Sequence, residues 1–120
     1  MSGEPPNFDL EERTARFGEA VIEFVLRVPR NALTSPLISQ LVRASTSIGA
    51  NYCEANESGT RKEFKYRIGV SRRESKETKF QLRMLVAAVK DKAVEARPIW
   101  KEADELNRIF AAIHRNTRDE

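Results

Sequence analysis

Cysteine, histidine and long apolar runs are what this 120-residue chain has least of. Cys53 is its one cysteine. That excludes an internal disulfide and a multi-cysteine metal site, and a buried, inert thiol is expected there. His114 is its one histidine. A bundle holding two irons or manganese ions needs a Glu-x-x-His motif on each of two helices, and here Ala111 stands three residues before the single histidine, so no metal or other cofactor is expected. Nucleophilic catalysis lacks a base for the same reason, since a histidine this close to the C-terminus is expected to be solvated or to sit at a helix end. Gly49, Gly59 and Gly69 are isolated instead of gathered into a phosphate-cradling loop. These absences point away from an enzyme. No apolar run approaches the roughly eighteen residues that cross a bilayer. The acidic opening MSGEPPNFDLEE lacks the basic and apolar regions of a signal peptide, so a cytoplasmic protein without a membrane partner is expected.

What is present is helical periodicity, in four segments, with no sustained strand-like alternation. The first opens on Asp9 and Glu12 at capping-box spacing and carries Leu10, Thr14, Phe17, Val21, Phe24 and Val28 on one stripe before Pro29. Ser35 before Pro36 suits the start of the second, whose stripe is Leu37, Leu41, Ala44, Ile48, Asn51 and Ala55. Gly59 suits its C-terminal end. Thr60 and Glu63 repeat the capping-box spacing and launch a third helix running to Lys92, a rod of roughly 45 to 50 Å. Pro98 is expected to start the fourth, where Ile99, Ala103, Leu106, Phe110 and Ile113 repeat in heptad fashion. Short connections between four such helices predict an all-α, antiparallel up-down-up-down four-helix bundle. It is expected over residues 9–115, with disordered ends at 1–8 and 116–120.

Polar residues interrupt two of these stripes. Arg43, Ser47, Asn51 and Glu54 share one side of helix two. The inward stripe of helix three, Phe64, Ile68, Ser71, Ser75, Thr78, Leu82, Leu85 and Val89, is hydroxylated in its middle and flanked by Glu74 and Glu77. Burying a carboxylate is costly unless a cation and hydrogen-bond donors satisfy it. The expectation is therefore that Glu54, Glu74 or Glu77 pairs with Arg43 or Arg73, with Asn51 and the hydroxyls completing a network that fixes helix register. Gly49 and Gly69, each costing about 1 kcal/mol inside a helix, are expected to mark close helix contacts.

Charge is uneven as well. Residues 57–92 hold eleven Lys/Arg against five Asp/Glu, whereas residues 1–34 hold four against six. Lys65, Arg72, Lys76, Lys79 and Arg83 fall on one side of helix three, and Arg61 and Lys62 extend that stripe. It reads either as a phosphate-neutralising face or as a solvated face with intrahelical pairs to Glu74 and Glu77. Tyr66, Val70, Phe80 and Met84 lie outside the inner stripe, and Trp100 lies off the seam of helix four. They read as a subunit interface, or as a core stripe wider than drawn.

The pattern Q-L-x-R-x-S-x-S-I-x-x-N-x-x-E from Gln40 to Glu54, with Phe64 and the run R-E-S-K-E-T-K-F-Q-L from Arg73 to Leu82, resembles the small four-helix-bundle proteins encoded in intervening sequences of 23S ribosomal RNA genes. The accessory variability determinants of diversity-generating retroelements are similar. The resemblance spans about residues 9 to 115, with Arg43, Ser47, Asn51, Glu54, Glu74 and Glu77 at the recurrent polar positions. It implies a ring-like homopentamer with a basic surface for nucleic acid, and with the stripe on helix three RNA or an RNA–DNA hybrid is the expected ligand. The retroelement relatives also engage a reverse transcriptase. The leading reading is thus a non-enzymatic, homo-oligomeric bundle that binds nucleic acid through helix three, and the alternative is a protein-interaction scaffold.

Overall fold

The structure, a computed structural model, describes residues 9–118. Of the ends expected to be disordered, 1–8 and 116–120, residues 1–8 and 119–120 lie outside the described residues. Four helices follow one another: α1 (Leu10–Val25), α2 (Thr34–Asn56), α3 (Arg61–Ala88) and α4 (Ala93–Asn116). Neighbours run antiparallel. Thr14 of α1 packs on Gly49 of α2 while Gly18 faces Thr46; Ile48 meets Ser71 and Arg43 meets Glu74 across α2 and α3; Lys79 meets Asp104 while Gly69 meets His114 across α3 and α4. The result is the up-down-up-down four-helix bundle that short connections dictate.

The heptad-like stripes make the core. Leu10, Phe17, Val21 and Phe24 from α1, Leu41, Ala44 and Ile48 from α2, Ile68, Leu82 and Leu85 from α3, and Ala103, Leu106 and Phe110 from α4 are all buried. The face of α2 is wider than its drawn stripe, because Ile38, Ser45 and Tyr52, at steps of seven, are also buried. The Tyr52 ring lies tilted against Phe110, centroids 5.7 Å apart. Among the described residues no helix is long and apolar enough to cross a membrane.

The helix ends depart from their sequence signals in six places. Asp9 occupies the N-cap of α1 but its side chain caps nothing. α2 begins at Thr34, one residue before Ser35, because Asn31 Oδ1 accepts from the backbone N–H groups of Leu33 and Thr34 and so does the capping itself. Gly59 has no positive φ, so the α2–α3 turn makes no use of its left-handed freedom. α3 stops at Ala88, a rod of about 42 Å, since Val89 leaves helical space at φ −137°, ψ 74° and a 3-10 turn takes Lys90–Lys92. That turn delivers the chain straight into α4 at Ala93, which leaves Pro98 inside the helix. Thr60 does cap α3, accepting from the Glu63 N–H at 3.0 Å. α4 reaches Asn116, one residue into the expected tail.

Candidate nucleic-acid interface

Two polar seams flank the buried stripe of α3, one against α2 and one against α4. In the first, Ser71 Oγ donates to the Ile48 carbonyl at 2.9 Å in full burial. Asn51 donates to Ser47 Oγ and accepts from Arg67 Nη1, so Arg67, which the sequence pattern passed over, is the cation that reaches Asn51. Farther along, Arg43 Nη1 lies 3.2 Å from Glu74 and Nη2 lies 3.7 Å from Glu77. This cluster is a rim, not the buried network expected: the Arg43 side chain is 50% exposed, and a solvated pair contributes at most about 1 kcal/mol. Glu54 stands apart from it, exposed, its backbone carbonyl accepting from Ser58 Oγ and the Glu57 N–H. Arg73 is exposed on the outer face. The carboxylates project toward α2 because Arg43 and Gln81 hold them there.

That geometry bears on the basic stripe. Lys76 is exposed, and its neighbours Glu74 and Glu77 are engaged on the opposite flank of α3. Arg61, Lys62 and Arg83 are exposed, while Lys65 and Arg72 are half-buried. Arg72 Nε is buried without a hydrogen-bond partner among the described residues. Lys79 behaves differently from the rest. Its ammonium lies 2.8 Å from Asp104 and 5.3 Å from the centroid of Trp100, so it ties α3 to α4. Its hydrogen bond holds the Asp104 carboxyl below the usual range. Beside it, Asn107 Nδ2 donates to the Arg72 carbonyl and to Ser75 Oγ, which answers the hydroxyls of the α3 stripe from α4.

The apolar side chains outside the core are unevenly exposed. Tyr66 is 59%, Phe80 55% and Trp100 42% exposed, whereas Val70 and Met84 are half-buried. Tyr66 stands apart from Phe80 and Trp100, close to Lys62, Lys65 and His114. His114 sits in the last turn of α4, at a helix end as expected, where it is half-buried against Gly69 and not fully solvated. The one signal for this placement was a glycine inside α3 bracketed by basic residues.

The expected close contacts at glycine are present. A Cβ on Gly49 would stand 2.8 Å from Thr14 Oγ1, and one on Gly69 would stand 3.3 Å from the His114 ring. Cys53 is exposed, contrary to the buried thiol expected, because it faces the shallow α1–α2 groove and not the core. Desolvation and then the carboxylates of Glu11, Glu54 and Glu57 push its pKa up, which keeps it a protonated, weakly nucleophilic thiol. Between α1 and α4 runs a cleft of about 710 Å³ floored by Phe17, Ala20 and Ile99. It is bridged by Arg13 to Glu102 and Glu105 and by Arg27 to Glu95. Among the described residues no cluster of three or more His, Cys, Asp or Glu is arranged to hold a metal ion.

With this geometry in hand, a comparison with protein families matches residues 7–112 to the 23S rRNA-intervening sequence protein family. Among solved structures, a protein of unknown function from the S23 ribosomal protein family of Bacteroides thetaiotaomicron VPI-5482 superposes with a TM-score of 0.76 at 21% identity, over 87% of this chain and 96% of that one. That likeness is one of fold. No curated protein matches the chain.

Proposed function

The chain belongs to the 23S rRNA-intervening sequence protein family, and from that membership together with the outer face of α3 we propose a non-enzymatic, homo-oligomeric bundle that binds nucleic acid in the cytoplasm. The ligand is RNA or an RNA–DNA hybrid, and the assembly is a ring of five copies. One observation carries the reading. Glu74 and Glu77 are drawn to Arg43 on the α2 side, which leaves Lys62, Arg72, Lys76 and Arg83 as a face whose charge no described ion pair balances. Arg61 and Lys65 extend it, and Lys79 secures it to α4. Phe80 and Trp100, with the half-buried Met84 and Val70, supply the apolar area for contact between copies, which would repeat the basic face around the ring.

Such a face reads charge and shape, since cations of this kind meet phosphates and not base edges. Affinity for a short RNA–DNA hybrid is expected to fall steeply with salt, log K dropping by about 0.7 to 0.9 per phosphate neutralised for each tenfold rise in salt. The double substitution Lys76→Gln with Arg83→Gln is expected to flatten that slope by about 1 to 2. No shift in fluorescence anisotropy at low salt would overturn the reading. A protein partner retained through nuclease treatment would instead favour the interaction scaffold, with a polymerase such as a reverse transcriptase as its partner.

A further inference from the structure

The basic stripe ends in a hollow between α3 and α4. Lys62, Lys65 and Tyr66, from the first two turns of α3, and His114, from the last turn of α4, line a shallow pocket of about 260 Å³. Gly69 packs against the His114 ring. The His114 ring atoms Cδ2 and Nε2 lie 3.3 Å from the position a Cβ there would take, and Arg73 Nη1 lies 3.8 Å away. Any side chain at 69 would push the imidazole outward, so the glycine lets the ring settle against α3.

Size and charge together limit what fits. The pocket falls below the roughly 300 to 1,000 Å³ typical of sites that enclose a whole cofactor or drug-sized ligand, but a single phosphate group is far smaller. Two lysines and an imidazole line it, and no carboxylate is among its described lining residues. Lys65 and His114 each hold another interaction in the protein; the Lys65 ammonium carries three N–H donors and keeps capacity to spare, and the imidazole has two ring nitrogens. The positive N-terminal end of α3 is set against the negative C-terminal end of α4 at this spot, so the two dipoles offset each other and the side-chain charges decide.

Tyr66 makes the site more than an anion hole. Its ring is 59% exposed at the pocket edge, with the Arg67 guanidinium 5.7 Å from its centroid. An aromatic face next to a phosphate site is useful to a nucleic acid only when the neighbouring base is unstacked and free to lie on it, as in single strands. We propose that this pocket is a single-strand subsite, in which Lys62, Lys65 and His114 hold one phosphate and Tyr66 stacks the adjoining unpaired base. The proposal rests on the nucleic-acid reading above and narrows it to one nucleotide at one end of the stripe.

The test compares a labelled oligouridylate with an RNA–DNA hybrid of equal length, each titrated by fluorescence anisotropy with the full-length chain at low salt. Tyr66→Ala is expected to weaken the single strand about tenfold and the hybrid about twofold at most, while Tyr66→Phe keeps most of the affinity. Lys62→Gln with Lys65→Gln, and separately His114→Gln, are expected to weaken the single strand more than the hybrid. An equal loss on both ligands, or no loss on the single strand, overturns the subsite while leaving the wider reading intact. Failure of the unaltered protein to bind either ligand overturns both. These side chains lie outside the core, and an unchanged circular-dichroism melt of each variant keeps a loss of binding separate from a loss of fold.

Discussion

At Gly49 α1 packs tightly on α2, and the value of the glycine depends on one side chain. Thr14 sits buried against it with its hydroxyl committed to the Leu10 and Glu11 carbonyls at 2.8 and 3.1 Å, so it cannot turn away without leaving a buried donor unmet. Gly18, in the same groove, has Thr46 Cγ2 at 3.6 Å from a would-be Cβ, an ordinary contact. The two glycines therefore answer oppositely to alanine. Gly18→Ala is expected to stabilise by about 0.5 to 1 kcal/mol through helix propensity alone. Gly49→Ala is expected to destabilise by about 1 to 2 kcal/mol, overpacking outweighing the same propensity gain. Thermal melts of the two variants check this, and shifts of equal sign would show that Thr14 does not hold its place. That some helix packs tightly on Gly49 is legible in the sequence, because an interior glycine needs compensation. The identity of the partner, Thr14, is not, since nothing in the residue order sets the crossing of α1 over α2.

At the level of elements, the α3–α4 seam is held by polar groups that stripe counting assigns elsewhere. Lys79 looks like one more cation in a regular row, yet Asp104 and Trp100 capture it because α4 starts at Ala93 and brings them level with it. The misplaced start at Pro98 hides that register. A proline marks a helix start only as a preference, and here the 3-10 turn at Lys90–Lys92 makes the entry five residues earlier. The pair carries a pH signature. Asp104 is held below its ordinary value of 3.8 by the hydrogen bond from Lys79, with Arg108 adding to the effect. A depressed carboxyl contributes stability above its unfolded pKa and loses it as pH falls through the folded one. Asp104→Asn is thus expected to melt lower than the native chain at neutral pH, with the gap closing below about pH 4. A gap constant down to strongly acidic pH would remove Asp104 from the seam's energetics. Glu95, lowered by Arg27 first and then by Lys92, acts in the same direction at the α1–α4 cleft.

The whole molecule is a flattened bundle, 47 by 31 by 19 Å along its principal axes. Its flatness follows from unequal helices. α1 has 16 residues against 28 in α3, and it meets α4 across an open cleft with ion pairs for a bridge. Phe80 and Trp100 are left with large exposed area, and burying such rings between copies stabilises an assembly by about 25 cal/mol per Å² of apolar surface before the costs of association. Light scattering is expected to give a multiple of the 13.7 kDa chain mass, reduced to a smaller species by Phe80→Glu. A monomeric native protein would remove the interface reading.

The sequence by itself determined four helices and the main buried stripe of each, because burial on a helix follows a 3.6-residue period that the order of residues displays directly. It also determined that basic charge gathers on α3, since charge is a property of each residue. Only the tertiary structure decided which cations remain unbalanced. Glu74 and Glu77 stand on either side of Lys76 in sequence, and it is Arg43, arriving from α2, that engages them on the far flank. Likewise only the meeting of the first turns of α3 with the last turn of α4 brings His114 onto Gly69 beside Lys62, Lys65 and Tyr66. The physical reason is range: helical periodicity is set by neighbours three and four residues apart, whereas the balance of charge at a surface is set by whichever helix packs next to it.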